Sequence, residues 1–192
     1  MSYTEPRPTE LAANKTAASS LIPEPHAEAL DVTQFREALS KAVTAVTVIA
    51  TDGPHGPAGV TCSAVSSVSD TPPTVLVCIN RRSAANEVIK RNGVLSVNWL
   101  SADQIEVSQL FAGSGAVPMK ERFAHHAWEA HATGAPRSKH ALVSLDCRVL
   151  EAQEVGTHSV FLEQVLGAMH ADTGDPLVYC RRAYATTQPA SA

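Results

Sequence analysis

Long apolar runs are missing from this chain, and so are paired cysteines. No stretch approaches the ~18 consecutive apolar residues of a membrane-spanning helix, so no membrane partner is expected. The four cysteines, Cys62, Cys78, Cys147 and Cys180, form no C-x-x-C pair. They stand in apolar segments and read as small buried hydrophobes of a reducing compartment, not as a disulfide framework. Excess positive charge is absent too. The formal net charge is −4, which argues against the basic patch that nucleic acid or an anionic membrane requires. No G-x-G-x-x-G follows a strand, which disfavours a Rossmann domain. There is no G-x-S-x-G elbow for a nucleophilic serine, and no carboxylate pairing that suggests glycoside chemistry. His125, His126 and His131 lie in "FAHHAWEAH". They lack H-E-x-x-H spacing and a nearby cysteine pair, so they are not read as a metal centre. The opening "MSYTEPRPTELAANKTAASSLIPEPH" contains no apolar core of the secretory type, and a cytoplasmic protein is expected.

What is present suits one domain. The chain has 192 residues, and a domain of ~150 residues buries roughly 70% of the surface its unfolded chain exposes. Residues 1–30 are rich in Pro, Ala, Thr, Ser and Glu without periodicity, and are expected to be a disordered N-terminal extension. The domain is placed at 31–188. "DVTQFREALSKAV" sets Val32, Phe35, Leu39 and Ala42 on one helical face, with Asp31 and Gln34 at capping-box spacing. "VTVIAT", "VTCSAVSSVS" and "TVLVCIN" read as strands. Ser83 is placed to cap a helix that Gly93 ends. A strand to Leu100 then leads into Ser101 and Gln104, a second capping box, and that helix stops at Gly113. "GSGAVPMKERF" reads as a loop. "ALVSLDCRVLEAQ", "HSVFLEQVLGAMH" and "PLVYCRRAY" read as three successive strands. Roughly seven strands and three helices predict a mainly β fold, an antiparallel barrel with helical inserts.

Four segments offer chemistry, each beside a plainer reading. Residues 59–69 are dense in Ser and Thr, whose hydroxyls and free N–H groups suit a phosphate or heterocycle. They read equally as a polar edge strand. Arg81 and Arg82 precede a helix start and suggest an anion site, or a solvated basic turn. Asn98 and Ser96 share a strand face and point either into a site or at a neighbouring backbone group. His158 follows a turn glycine before an apolar strand, and spacing alone makes it an exposed or satisfied imidazole.

Taken together and in order, these segments resemble the short-chain flavin reductase family. The strings "FREAL", "AVTVIATDGP", "AGVTCSAVSSVSDTPPTVLVCINR", "VNWLSADQ", "LFAG", "MKERF", "ALVSLDCRV", "VGTH" and "PLVYCRRAY" carry the likeness. It spans about Phe35 to Tyr184. The chain looks like the reductases that serve 4-hydroxyphenylacetate 3-monooxygenase and the pyrimidine-ring-opening monooxygenase, which resemble it in having Thr at the position of Thr157, where many members have Asp. The resemblance implies an FMN-binding split β-barrel, a homodimer, and hydride transfer from NADH or NADPH to FMN or FAD for a separate monooxygenase. It implies flavin contacts at Thr61, Ser63, Ser66, Ser67, Val68, Asn80, Arg81, Ser83, Asn86, Asn98 and Ser101. The turn at Gly156 and His158 is the expected nicotinamide-docking site, with His158 as the contact. The same fold would also suit a flavoprotein acting directly on an organic substrate, or a flavin-binding module without hydride chemistry.

Overall fold

The computed structural model describes residues 30–189. The expected N-terminal extension therefore lies outside the described residues, apart from Leu30. In chain order the elements are α1 (Val32–Ser40), β1 (Thr44–Ala45), β2 (Thr47–Thr51), β3 (Ala58–Cys62), β4 (Val65–Asp70) and β5 (Pro73–Asn80). Then come α2 (Ala84–Asn92), β6 (Val94–Trp99), α3 (Ile105–Phe111), a 3-10 turn (Ser114–Ala116) and α4 (Met119–Ala124). The chain continues with β7 (Trp128–Ala130), β8 (Pro136–Ser138), β9 (Val143–Val155), β10 (His158–His170), β11 (Val178–Cys180) and β12 (Ala183–Ala185). None of the helices among the described residues is long and apolar enough to cross a membrane.

The fold is mainly β with helical inserts, as the pattern predicts. Seven antiparallel strands run in the order β3-β2-β6-β9-β10-β5-β4. Strands β3 and β4 are the two edges, yet only Ser63 and Ala64 separate them in the chain. A two-residue link cannot cross a flat sheet of this width, so the sheet curls until its edges meet. Cys78 N–H donates to Ala64 O at 2.9 Å beside that elbow. The result is a barrel split between β3 and β4, with its ladder left open there.

The interior is built from alternating inward residues of these strands. Ile49, Val75, Val77, Ile79, Leu95, Val97, Cys147 and Phe161 form one cluster, sealed by Ala85 and Ile89 of α2. Val46, Val48, Leu100, Val107, Phe111 and Leu177 form a second, under α3. Gly59 lies where the two meet. A Cβ there would stand 2.6 Å from the Phe111 ring, so the strand must carry glycine for α3 to seat. The hairpin of β9 and β10, the longest pairing, holds one odd residue. Glu163 faces inward between Val75 and Val149 and is 0% exposed. Neither carboxyl oxygen has a hydrogen-bond partner among the described residues. Burial pushes its pKa up to about 9, so the group is a neutral acid at physiological pH.

Several sequence expectations are corrected. The loop expected at 113–123 contains α4, a helix of six residues entered through Pro118, too short for periodicity to reveal. The segment "FAHHAWEAH" contributes β7, paired with β8. "VTCSAVSSVS" is two strands, broken at the elbow. "PLVYCRRAY" folds back on itself, because Arg181 and Arg182 adopt φ of 52° and 62° and make the turn between β11 and β12. Positive φ is uncommon outside glycine, so the turn is invisible in the residue types. Helix α1 forms, with Asp31 accepting from Thr33 and Gln34 N–H. Its apolar face is not in the core: Val32, Phe35 and Leu39 are all more than half exposed. Only Cys147 of the four free cysteines is fully buried.

Candidate functional site

Residues distant in sequence converge where the barrel is split. A cavity of about 220 Å³ is lined by Thr61, Cys62, Ser63 and Ala64 of the elbow, by Cys78 and Asn80 of β5, and by His158. The register explains the meeting. His158, the first residue of β10, pairs with Asn80, the last of β5, and the elbow packs on the same strand end. A neighbouring hollow of about 240 Å³ shares Thr61, Cys62 and Ser63 and adds Ser108, Tyr179 and Tyr184. Together the two reach the size range of small-molecule sites.

The cavity walls are polar and held in place. Thr61 Oγ1 donates to Ser108 O at 2.6 Å, and Ser108 Oγ lies 2.9 Å from Tyr184 Oη. Tyr184 packs edge-on to Tyr179, ring centres 5.4 Å apart. These two tyrosines and Ser108 were not among the sequence candidates. Their signal was slight: two aromatics flanking a basic pair in a chain poor in aromatics. Burial pushes the Cys62 thiol up to about 11 and raises Cys78 as well. Both are therefore thiols that shape the cavity, not nucleophiles.

Above the cavity, Gly156 takes φ 55° and turns the chain from β9 into β10. The turn is tied from below. Arg81 N–H donates to Thr157 O at 2.9 Å, and Arg81 Nη1 to Gly156 O at 3.3 Å. His158 Nδ1 lies 2.9 Å from Thr157 Oγ1, which fixes the ring plane and leaves Nε2 for a ligand. His158 is half-buried and lines the cavity.

The other candidates divide. Ser66, Ser67 and Val68 lie on edge strand β4, exposed, with a register shift between Ser67 and Ser69. The N–H groups on the outer side of β4 have no neighbouring strand among the described residues, because β4 pairs with β5 only. Asn86 is buried and structural: its Nδ2 donates to Ile79 O at 3.0 Å and to Ser159 Oγ at 3.1 Å. Ser83 occupies the N-cap position of α2, but its side chain makes no capping hydrogen bond. Asn98 is fully buried, and all its capacity is spent. It donates to Val48 O and Ser96 Oγ and accepts from Ser138 N–H and Ser144 Oγ. Of its two sequence readings, the structure matches the one that satisfies neighbours. Ser101 is buried in a separate hollow with Asp103, Lys139, His140 and Asp175. Gln104 Oε1 accepts from Ser101 N–H at 3.1 Å, which is half of the expected capping box. Ser101 Oγ instead contacts Asp103, and helix α3 begins only at Ile105. The structure therefore gathers Thr61, Ser63, Asn80 and His158 in one cavity, with Arg81 and Gly156 at its rim. Asn86, Asn98 and Ser101 lie outside that cavity, each hydrogen-bonded to neighbouring protein groups.

A model of the flavin reductase like domain matches residues 39–188. The chain is 44% identical over 158 residues to an FMN reductase (NADH) RutF of Ancylobacter novellus, covering 82% of this chain and 86% of that protein. It is 46% identical over 150 residues to the 4-hydroxyphenylacetate 3-monooxygenase reductase component of Pseudomonas aeruginosa, covering 78% and 88%. The crystal structure of BorF, the flavin reductase component of a bacterial two-component tryptophan halogenase, superposes with a TM-score of 0.77. The identity there is 31%, over 83% of this chain and 100% of that one.

Proposed function

The chain belongs to the flavin reductase like domain family, and on that premise we propose that it is an NADH-dependent FMN reductase that supplies reduced flavin to a separate monooxygenase. The observation that carries this reading is the convergence of Thr61, Ser63, Asn80 and His158 on one cavity at the split of the barrel. The site fits a flavin on its own chemistry: the Ser63 hydroxyl, the Asn80 amide and an open strand edge provide donors for the carbonyl-rich edge of a heterocycle. Flavin, when bound, supplies the hydride acceptor.

The protein's part is placement. Thr61 and Ser63 would hold one side of a bound ring system, and the outward N–H groups of edge strand β4, among Ser66, Ser67 and Val68, would serve its polar edge. Donors aimed at that edge favour negative charge as it develops there. His158 positions the nicotinamide, held in plane by Thr157, and it need not move a proton. A small cavity lined by both polar and apolar residues suits a flavin that binds and leaves. Purified protein given free FMN is expected to oxidise NADH catalytically, followed by loss of nicotinamide absorbance. A protein that retains its flavin through dialysis and turns over no added FMN would refute this reading.

The reading extends to a homodimer in the cytoplasm. The support is the α1 face of Val32, Phe35 and Leu39, which is exposed among the described residues and which a second copy would bury. Sedimentation is expected to give a dimer, and a monomer at micromolar concentration would exclude it.

A further inference from the structure

Beside the His158 turn lies a charge cluster that the flavin chemistry does not use. Glu154, near the end of β9, stands 2.5 Å from Arg81 Nε through Oε2. Its other oxygen pairs with Lys90 Nζ of α2 and accepts from Ser159 Oγ at 3.0 Å. Hydrogen bonding from Lys90 is the largest cause that holds the Glu154 carboxyl below its ordinary range, so it is ionised. The side chains of Arg81, Glu154 and Lys90 are 54%, 42% and 27% exposed. At such exposure ion pairs contribute little to the stability of the fold, and the cluster is open to contact by an incoming ligand. Arg81 also holds the turn itself, through Gly156 O and Thr157 O. The cluster thus occupies the rim beside the docking residue.

We propose that Glu154 selects NADH over NADPH, by engaging Arg81 and Lys90 so that neither is free for a 2′-phosphate. The inference rests on the reading of the Gly156–His158 turn as the nicotinamide-docking site, and it requires a dinucleotide folded so that its adenosine ribose lies at the same rim. NADPH differs from NADH by one phosphate, and a phosphate is recognised by an Arg fork or a Lys ammonium. Here both cations already face a carboxylate. A 2′-phosphate would have to displace that carboxylate and then lie next to it, like charge against like. A ribose 2′-hydroxyl meets no such conflict, because a carboxylate accepts its hydrogen bond.

Four proteins decide the matter: the unmodified chain, Glu154→Gln, Glu154→Ala, and Glu154→Gln combined with Arg81→Gln. Steady-state kinetics with free FMN give the ratio of kcat/KM for NADPH to that for NADH. Glu154→Gln is expected to raise this ratio on the order of tenfold, the worth of one charge-assisted hydrogen bond. The added Arg81→Gln is expected to abolish most of the gain. Glu154→Ala, which has no amide oxygen to hold Arg81, is expected to raise the ratio at least as far. Calorimetry with adenosine 2′,5′-bisphosphate and 5′-AMP supplies a readout that needs no turnover, and there the variant is expected to gain affinity for the bisphosphate alone. An unchanged ratio in both Glu154 variants, or a gain that survives loss of Arg81, overturns the proposal. Absence of NADH oxidation by the unmodified protein would instead strike the functional reading, leaving the calorimetric comparison to decide this one.

Discussion

Glu163→Gln is expected to become progressively more stable than the unmodified protein as pH rises. In the native state Glu163 keeps its proton until about pH 9, while its ordinary value is 4.5. Between those limits the unfolded chain binds fewer protons at this site than the folded one. Stability therefore falls with rising pH, by up to about 1.4 kcal/mol per unit. The loss reaches on the order of 5 kcal/mol by pH 8, a large fraction of an ordinary domain's stability. Above the native value the contribution levels off. Glutamine has no proton to lose, so this slope vanishes, although its amide stays unsatisfied in the same pocket. Guanidinium unfolding at roughly pH 5.5 and 8 measures the gap between the two proteins. A gap of the same size at both would show that Glu163 is not a neutral acid in the fold. The residue is close enough to the site to matter there once ionised, because its carboxylate charge would raise the Cys62 and Cys78 thiols, which line the cavity, still further.

The second large effect is kinetic. His158→Ala is expected to raise the KM for NADH by about tenfold, the worth of one lost hydrogen bond with its packing. Flavin affinity is expected to move less than about twofold, because Thr61, Ser63 and the β4 edge are untouched. Steady-state kinetics and flavin fluorescence titration separate the two quantities. An equal loss of flavin binding would refute the nicotinamide role. The backbone of the turn is held by Arg81 independently of the imidazole, so the variant keeps its fold.

How much of this was legible beforehand depends on the physics of each part. Strand β10 reads as residues 158–170 in both sequence and structure, because a dense apolar run after a turn glycine has one natural start. Helix α2 likewise ends where Gly93 takes φ 69°. Local signals suffice for such elements. The convergence of Thr61 with His158 was legible only through resemblance, since it depends on the β5–β10 register, and spacing carries no information about that. The roles of Asn98 and Asn86 could not be separated from ligand contacts in sequence. A buried amide that satisfies four neighbours and one that meets a cofactor are the same letter. Glu163 passed unnoticed because its apolar neighbours come from other strands. Glu154 was hidden in "EAQEV", where only the fold brings Arg81 and Lys90 alongside.

The two free edges of the split barrel bear on how the protein behaves in a crowded solution. An unpaired strand edge is a template on which another chain can add, and long flat apolar edges seed aggregation. Strand β4 is such an edge, but it is written in Ser66, Ser67, Ser69 and Asp70, is distorted by the register shift after Ser67, and runs straight into Pro72 and Pro73. Hydroxyls, a carboxylate, an irregular ladder and prolines each discourage a foreign strand from docking. The segment that offers its polar groups to a small ligand is thereby a poor seed for self-assembly, so the ligand-free protein can keep its barrel ajar without recruiting its own copies through it.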